Sequence, residues 1–321
     1  MMPPGGIAKV GATGRSPLRT HREGAWGEGI EGCRPGPVAT PSQEGHPWPA
    51  PAKLNLMLRI LGRRPDGYHR LQTVFQFIDR QDRLFFEPRD DGRIRRTSDL
   101  AGVPEESDLV VRAARLLRER AGGGPGVDIR VEKRLPVGGG LGGGSSDAAT
   151  TLAALNRIWG VGLSESGLIE LGLTLGADVP IFLYGRAAWG EGIGEVLTPV
   201  ELPEPWYLVL VPRCEVATAG VFLDGELTRN SAPIKMRNFI VGDDRNDCLA
   251  VVRQRYPEVA AALDWLATVG RPRLTGTGAC VFCTFATAVQ AHVACSLVPP
   301  RFSAFVARGM NRSPLSETAR L

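Results

Sequence analysis

The sequence predicts an α+β protein of two domains. Three features carry that expectation. Strand-like alternation and helix-like periodicity are mixed in both halves of the chain. A length of 321 residues exceeds the roughly 100 to 200 that one domain ordinarily takes. Near residue 200, Leu202-Pro203-Glu204-Pro205 has linker composition and gives way to a fresh strand signal from Trp206 to Val211. The expected division is an extension over 1–46, an N-terminal domain over 47–199 and a C-terminal domain over 200–321.

Residues 1–46 contain ten glycines and six prolines with little apolar periodicity. They cannot bury enough surface to offset the entropy of ordering, so a disordered extension is expected. The segment lacks the apolar stretch of a secretory signal, and Glu23, Glu28, Glu31 and Glu44 argue against a transit peptide. From Pro51 the texture changes. Leu54 to Leu61 reads as a strand, Arg63-Arg64-Pro65-Asp66-Gly67 as a turn, and Thr73 to Ile78 as a second strand. A hairpin is expected around Asp90-Asp91-Gly92. Leu109, Val110, Ala113, Leu116 and Leu117 form a helical stripe, with Arg112, Arg115 and Arg118 on a solvated face.

Val127 to Lys133 alternates as a strand and runs towards Gly138-Gly139-Gly140-Leu141-Gly142-Gly143-Gly144, six glycines in seven positions. A helix follows, with Ala148, Leu152, Leu155 and Trp159 on its apolar side and Gly160 at its end. Another helix, from Ser164 to Gly176, leads through Asp178-Val179-Pro180 into an expected strand. Beyond the linker come a strand, a polar loop from Arg229 to Arg237, helices from Asn246 and Pro257, the Thr275-Gly276-Thr277-Gly278 turn and a short strand.

Composition narrows the function. With 43% hydrophobic and 22% charged residues the chain is an ordinary globular protein. Its net charge of +4 is too small and dispersed to indicate nucleic-acid binding. No apolar run reaches the roughly 20 residues of a membrane span, and six cysteines without a secretory signal suggest reduced thiols in the cytoplasm. Cys280-x-x-Cys283 superficially resembles a redox or zinc pair, but strand alternation sends the two sulfurs to opposite faces.

The glycine run is the strongest chemical signal. Without Cβ atoms, backbone N–H groups can close around an anion, and the positive end of the following helix favours a phosphate. Ser145 and Ser146 stand where they could cap that helix. No Gly-Lys-Ser/Thr follows, so this is not a Walker A loop. Gly138-x-Gly140-x-x-Gly143 matches the dinucleotide pattern, a match nearly automatic in such a run, and Pro136 between strand and loop argues against that reading.

Taken together, Pro51-Ala52-Lys53-Leu54-Asn55-Leu56, the glycine loop with Ser145-Ser146-Asp147-Ala148-Ala149, Leu175-Gly176-Ala177-Asp178-Val179-Pro180 and Thr275-Gly276-Thr277-Gly278-Ala279-Cys280 resemble the motifs of the GHMP small-molecule kinases. Gly62-Arg63-Arg64-Pro65-Asp66-Gly67-Tyr68-His69, with Leu71-Gln72-Thr73, is similar to the branch acting on a cytidine-diphosphate sugar alcohol in the non-mevalonate isoprenoid pathway.

The resemblance implies an S5-like N-terminal domain, a ferredoxin-like C-terminal domain and a site between them. It implies transfer of the γ-phosphate of ATP to the 2-hydroxyl of a methylerythritol group, with Mg²⁺ expected and its ligands open. It assigns catalysis to Lys53 and Asp178. ATP binding falls to Lys133, Pro136, Gly138, Gly139, Gly140, Leu141, Gly142, Gly143, Gly144, Ser145 and Ser146. Contacts to the cytidine substrate fall to Asn55, Tyr68, His69, Thr218 and Phe222.

Read without the resemblance, a lone strand lysine is more often a snorkelling surface residue, but the apolar flank of Lys53 on one side and Pro51-Ala52 on the other favour burial, while Asp178 would be a turn or capping residue and Phe222 a core residue. Asp108 departs from the asparagine often found in the family, keeping an acceptor and losing the amide donors that would reach adenine. An S5-like fold and a sequence pI near 8.8 leave an RNA-binding module as the rival class, which lacks the expected aromatic–basic clustering here.

Overall fold

The computed structural model describes residues 46–100, 103–240 and 242–319. The expected extension lies outside the described residues apart from residue 46. Among the described residues ten strands are formed: β1 (Trp48–Arg63), β2 (His69–Arg89), β3 (Ile94–Arg96), β4 (Gly126–Glu132), β5 (Ala188–Glu191), β6 (Val196–Pro199), β7 (Trp206–Val211), β8 (Arg273–Leu274), β9 (Val281–Phe285) and β10 (Ser303–Met310). The helices are α1 (Leu109–Arg120), α2 (Gly143–Ile158), α3 (Glu165–Leu173), α4 (Val179–Tyr184), α5 (Thr218–Leu223), α6 (Met236–Ile240), α7 (Leu249–Arg255), α8 (Pro257–Leu266), α9 (Ala288–Ser296) and α10 (Pro314–Ala319).

Strand β2 organises the sheet. One edge pairs along its length with β1, and the other pairs in turn with β5, β10 and β4. The β1–β2 ladder slips after Pro51, Asn55 and Ile60, and such bulges bend a long ribbon and re-aim its side chains. Residues 50–60 of β1 are buried without alternation, their apolar side chains being shared among three core clusters: Ala50 with α2 and α10, Leu54 and Met57 in the central one, and Leu58 and Ile60 in the C-terminal one.

In the C-terminal half, β7, the α7–α8 pair, β8, β9, α9 and β10 follow one another, and their strands are ordered β10-β7-β9-β8, all antiparallel. This is the expected ferredoxin-like arrangement. A central apolar cluster joins the halves, combining Leu54, Met57 and Ile78 with Tyr207, Val209 and Phe282. Cys280 belongs to that cluster and Cys283 to the C-terminal one, so the sulfurs do lie on opposite faces, and burial pushes each thiol up to about 12. No helix among the described residues is long and apolar enough to cross a membrane.

Several expectations need correction. The run after Asp178 is helix α4, not a strand. Pro180 in its first turn suits the fixed φ of a helix start, and a short apolar run has no period that separates the two states. Gly92 does turn the chain at φ 70°, but β2 and β3 do not pair as a hairpin: β4 lies between them, antiparallel to β2 and parallel to β3. Thr218 opens α5, and the polar loop from Arg229 carries the short α6.

The contact between halves is also polar. Tyr207 is buried and its Oη donates to Gln76 Oε1 at 2.6 Å, while Gln76 Nε2 donates to the Pro203 carbonyl at 2.9 Å. Tyr207→Phe strands that acceptor in an apolar setting. The unfolding free energy from urea titration is expected to fall by about 1 to 3 kcal/mol with an unchanged slope; an unaltered midpoint would show that the bond adds nothing.

Candidate active site

The two-residue period of β1 places Lys53 and Asn55 on one face. Lys53 is almost completely buried, with a side chain 3% exposed, yet its Nζ is surrounded by acceptors: Asn55 Oδ1 at 2.5 Å, the Gly140 carbonyl at 3.1 Å and Asp178 Oδ2 at 3.1 Å. The Asp178 side chain is 39% exposed, so the pair has a sheltered cation and an accessible carboxylate. Asp178 stands immediately before α4 and makes no capping bond to it, which leaves the carboxylate free of helix duty. Asn55 is held in turn: its Nδ2 donates to Thr73 Oγ1 at 2.8 Å, and its backbone N–H donates to Thr275 Oγ1 at 3.0 Å.

The glycine loop folds back over this lysine. The Lys53 N–H donates to the Leu141 carbonyl at 3.0 Å. Gly138, Gly140 and Gly142 have φ values of 69°, 73° and 73°, where side-chain-bearing residues are strained. At Gly140 a Cβ would collide with the Thr275 carbonyl oxygen, and at Gly142 it would lie 2.7 Å from Phe182 Cζ. The Thr275–Ala279 turn is therefore seated directly against the loop. Ala279 and Cys280 donate their N–H groups to the carbonyls of Gly138 and Gly139 at 3.3 and 3.1 Å.

Helix α2 starts at Gly143 behind Gly142, with no side chain capping its first amides. The expected serine cap is not made, because the left-handed Gly142 occupies the cap position. Ser146 Oγ is buried with no hydrogen-bond partner. Uncapped amides, the helix dipole and an orphaned hydroxyl together suit a phosphate-bearing ligand. Among the described residues no group of three His, Cys, Asp or Glu side chains could hold a metal.

Lys133 lies beneath the start of α2, its Nζ bonded to Asp82 and to Asp147 Oδ2, the latter at 2.8 Å. Asp82 is fully buried and also accepts the N–H groups of Arg134 and Leu135, at 2.5 and 2.8 Å. Asp147 Oδ1 has no partner. Burial raises the Asp147 carboxyl to about 7 despite the pull of Lys133, with Asp82 reinforcing the rise. Burial draws the Lys133 ammonium down, but the two carboxylates outweigh it and the net shift is upward. Asp108 caps α1, Oδ1 accepting from Val110 N at 2.9 Å, while Oδ2 pairs with Arg96. The charge that distinguishes Asp108 from asparagine is thus answered by Arg96.

Tyr68 stands 57% exposed in the β1–β2 turn, and His69, which opens β2, is buried. The His69 ring stacks on Phe222 of α5 with centroids 5.1 Å apart and planes at 24°. Thr218 Oγ1 lies 3.0 Å from Thr277 Oγ1, linking α5 to the second loop. Burial, then the charges of Arg229 and Arg63, lower the His69 pKa and keep the ring neutral near pH 7. Sequence reasoning missed Arg229, which donates Nε–H to His69 Nε2 at 3.3 Å, and the hydroxyls of Thr73 and Thr275 that orient Asn55. Thr73 and Thr275 lie within the quoted motifs; Arg229 carried no signal beyond its place at the start of a polar loop.

A family profile described as GHMP kinases N terminal domain matches residues 108–186. The chain is 57% identical over 267 residues to a 4-diphosphocytidyl-2-C-methyl-D-erythritol kinase of Pseudomonas paraeruginosa, covering 83% of this chain and 95% of the relative. A relative of the same name from Nitrosococcus oceani is 56% identical over 268 residues, covering 84% and 96%. A crystal structure of 4-(cytidine 5'-diphospho)-2C-methyl-D-erythritol kinase superposes with a TM-score of 0.71 at 32% identity, covering 82% of this chain and 99% of that one.

The Asp147 environment has a pH consequence. Its carboxyl holds a proton in the folded state that the unfolded chain has released, so its contribution to stability declines as pH rises from about 4 towards about 7. Asp147→Asn removes that titration. The stability of the variant relative to the natural chain is expected to improve steadily across this window in urea titrations at stepped pH; a constant difference would show that Asp147 titrates normally.

Proposed function

The chain belongs to the family of 4-diphosphocytidyl-2-C-methyl-D-erythritol kinases, and on that premise we propose how its residues carry out the ATP-dependent phosphorylation of this substrate. The γ-phosphate passes to the 2-hydroxyl of the methylerythritol portion, placed against Asp178. A loose phosphoryl-transfer transition state requires positioning and charge neutralisation more than strong base catalysis. Asp178 orients the hydroxyl and takes its proton late, and its exposed carboxylate is accessible for that role. Lys53, fixed by three acceptors, stabilises negative charge as it develops. Asn55 serves both as a polar neighbour of the substrate and as the group that aims the lysine.

ATP lies with its phosphates over Pro136 and the loop from Gly138 to Gly144, against the first turn of α2 with Ser145 and Ser146. Lys133 supports that loop from below, and its bonds to Asp82 and Asp147 favour a positioning role. Mg²⁺ arriving with the nucleotide would supply neutralisation of phosphate charge. The buried, unpartnered Ser146 hydroxyl is the side-chain oxygen beside the loop that would help to hold it. Tyr68 and Phe222 offer stacking faces to the cytosine ring, His69 an edge hydrogen bond, and Thr218 a hydroxyl nearby. The same reading divides the chain between β6 and β7 into an ATP-binding domain over 47–199 and a C-terminal domain over 200–321. A cytoplasmic location, where ATP and reduced thiols coexist, fits it.

The observation carrying this reading is the Lys53–Asp178 pair lying beside an uncapped helix start. Coupled ADP release tests it against other reactions of the fold. Turnover is expected with 4-diphosphocytidyl-2-C-methyl-D-erythritol and not with mevalonate or homoserine, the product bearing phosphate on the 2-hydroxyl. Turnover of either alternative alcohol, or phosphate at another position, would contradict the reading.

A further inference from the structure

Arg229 is the least expected residue beside the base-reading groups, and its guanidinium is heavily committed. Nη2 donates to the carbonyls of Phe222 and Asp224 at 2.8 and 2.6 Å, and Nη1 to the Leu227 carbonyl at 3.3 Å. These bonds clamp the C-terminal end of α5, where a cation is also favoured by the helix dipole. They leave Nε–H directed at His69 Nε2, 3.3 Å away. A guanidinium has donors only and is not deprotonated in proteins. The nitrogen it faces must therefore carry a lone pair, which leaves the ring proton of a neutral imidazole on Nδ1.

We propose that Arg229 is a positioning residue that fixes His69 as the Nδ1–H tautomer, making the ring a single-purpose donor for the acceptor edge of a cytosine. The inference rests on the reading of His69 as the base-edge contact. Burial and the neighbouring charges of Arg63 and Arg229 keep the ring neutral, so the proton on Nδ1 belongs to a tautomer and not to an imidazolium. A fixed donor finds a lone pair at N3 of cytosine and meets an N–H at N3 of uracil. The discrimination thus comes from repulsion as well as attraction. By gripping Phe222 and His69 together, Arg229 also sets the 5.1 Å ring stack.

The test uses the full chain with ¹⁵N-labelled histidine, the His69 signals being identified among the four histidines by their loss in His69→Gln. Long-range ¹H–¹⁵N spectra of the natural chain are expected to show a protonated Nδ1 and an unprotonated Nε2. Arg229→Met should move the ring towards Nε2–H. It should raise KM for the cytidine substrate about tenfold, the effect of one lost hydrogen bond, while kcat changes far less and the preference over the uridine analogue narrows. Arg229→Lys keeps the charge without the fork and should fall between the two, and it remains informative if the methionine variant does not fold.

An Nε2–H ring in the natural chain, or an unchanged tautomer in both variants, would overturn the proposal. A raised KM in His69→Gln with no change in either Arg229 variant would overturn the positioning role alone. A tautomer that shifts with KM unmoved in all three variants would instead remove the base contact of His69.

Discussion

A buried ammonium group must be surrounded by acceptors, because removing it from water costs several kcal/mol that only close partners offset. Lys53 imposes that requirement on the site. Its partners come from three parts of the chain: Asn55 on the same strand, the Gly140 carbonyl of the glycine loop, and Asp178 at the head of α4. If the loop lifts or α4 shifts, an acceptor is lost and the cation is left partly unpaired in a dry setting. The lysine therefore fixes where the glycine loop and the carboxylate stand relative to each other. Because the lysine is sheltered and the carboxylate is not, the acidic partner is the one available to a ligand.

The second glycine turn extends this constraint into the C-terminal half. Thr275 Oγ1 accepts from the Asn55 backbone N–H and donates to the Gly140 carbonyl at 3.2 Å, so one hydroxyl ties β1, the first loop and the second loop together. Glycine at 140 follows from this closeness, since the Thr275 carbonyl occupies the space of a Cβ. Beneath the loop, Lys133, Asp82 and Asp147 form a buried cluster that braces the start of α2. The site is thus preorganised from both sides, which a reaction dominated by positioning requires.

Much of this was legible in the sequence. The glycine loop passing into a helix, the Lys53–Asn55 spacing on a strand and the second glycine turn all have local physical meanings, and the structure joins them at bonding distance. The opposite faces of Cys280 and Cys283 followed from alternation alone. What escaped depended on long-range packing. The run Val179 to Tyr184 is apolar throughout, so nothing local separates a buried strand from a buried helix, and its contacts with α2 and α3 settle it. The placement of β4 between β2 and β3 is a matter of sheet order that a good turn at Gly92 cannot reveal. Arg229 is 160 residues from His69 in the chain, and Arg96 answers the charge of Asp108 only in space.

If the Lys53–Asp178 pair acts as one unit, kcat measured at saturating substrates for Lys53→Ala, Asp178→Asn and the double variant tests it most directly, with circular dichroism verifying the fold. Each single substitution is expected to lower kcat by about 10² to 10³, the range for removing one preorganised charge-stabilising group. The double variant is expected to be little worse than the more damaged single one, as for residues that work together. Losses that multiply would contradict the account, for they would mean that the two groups act independently and that the bond between them does not define the site.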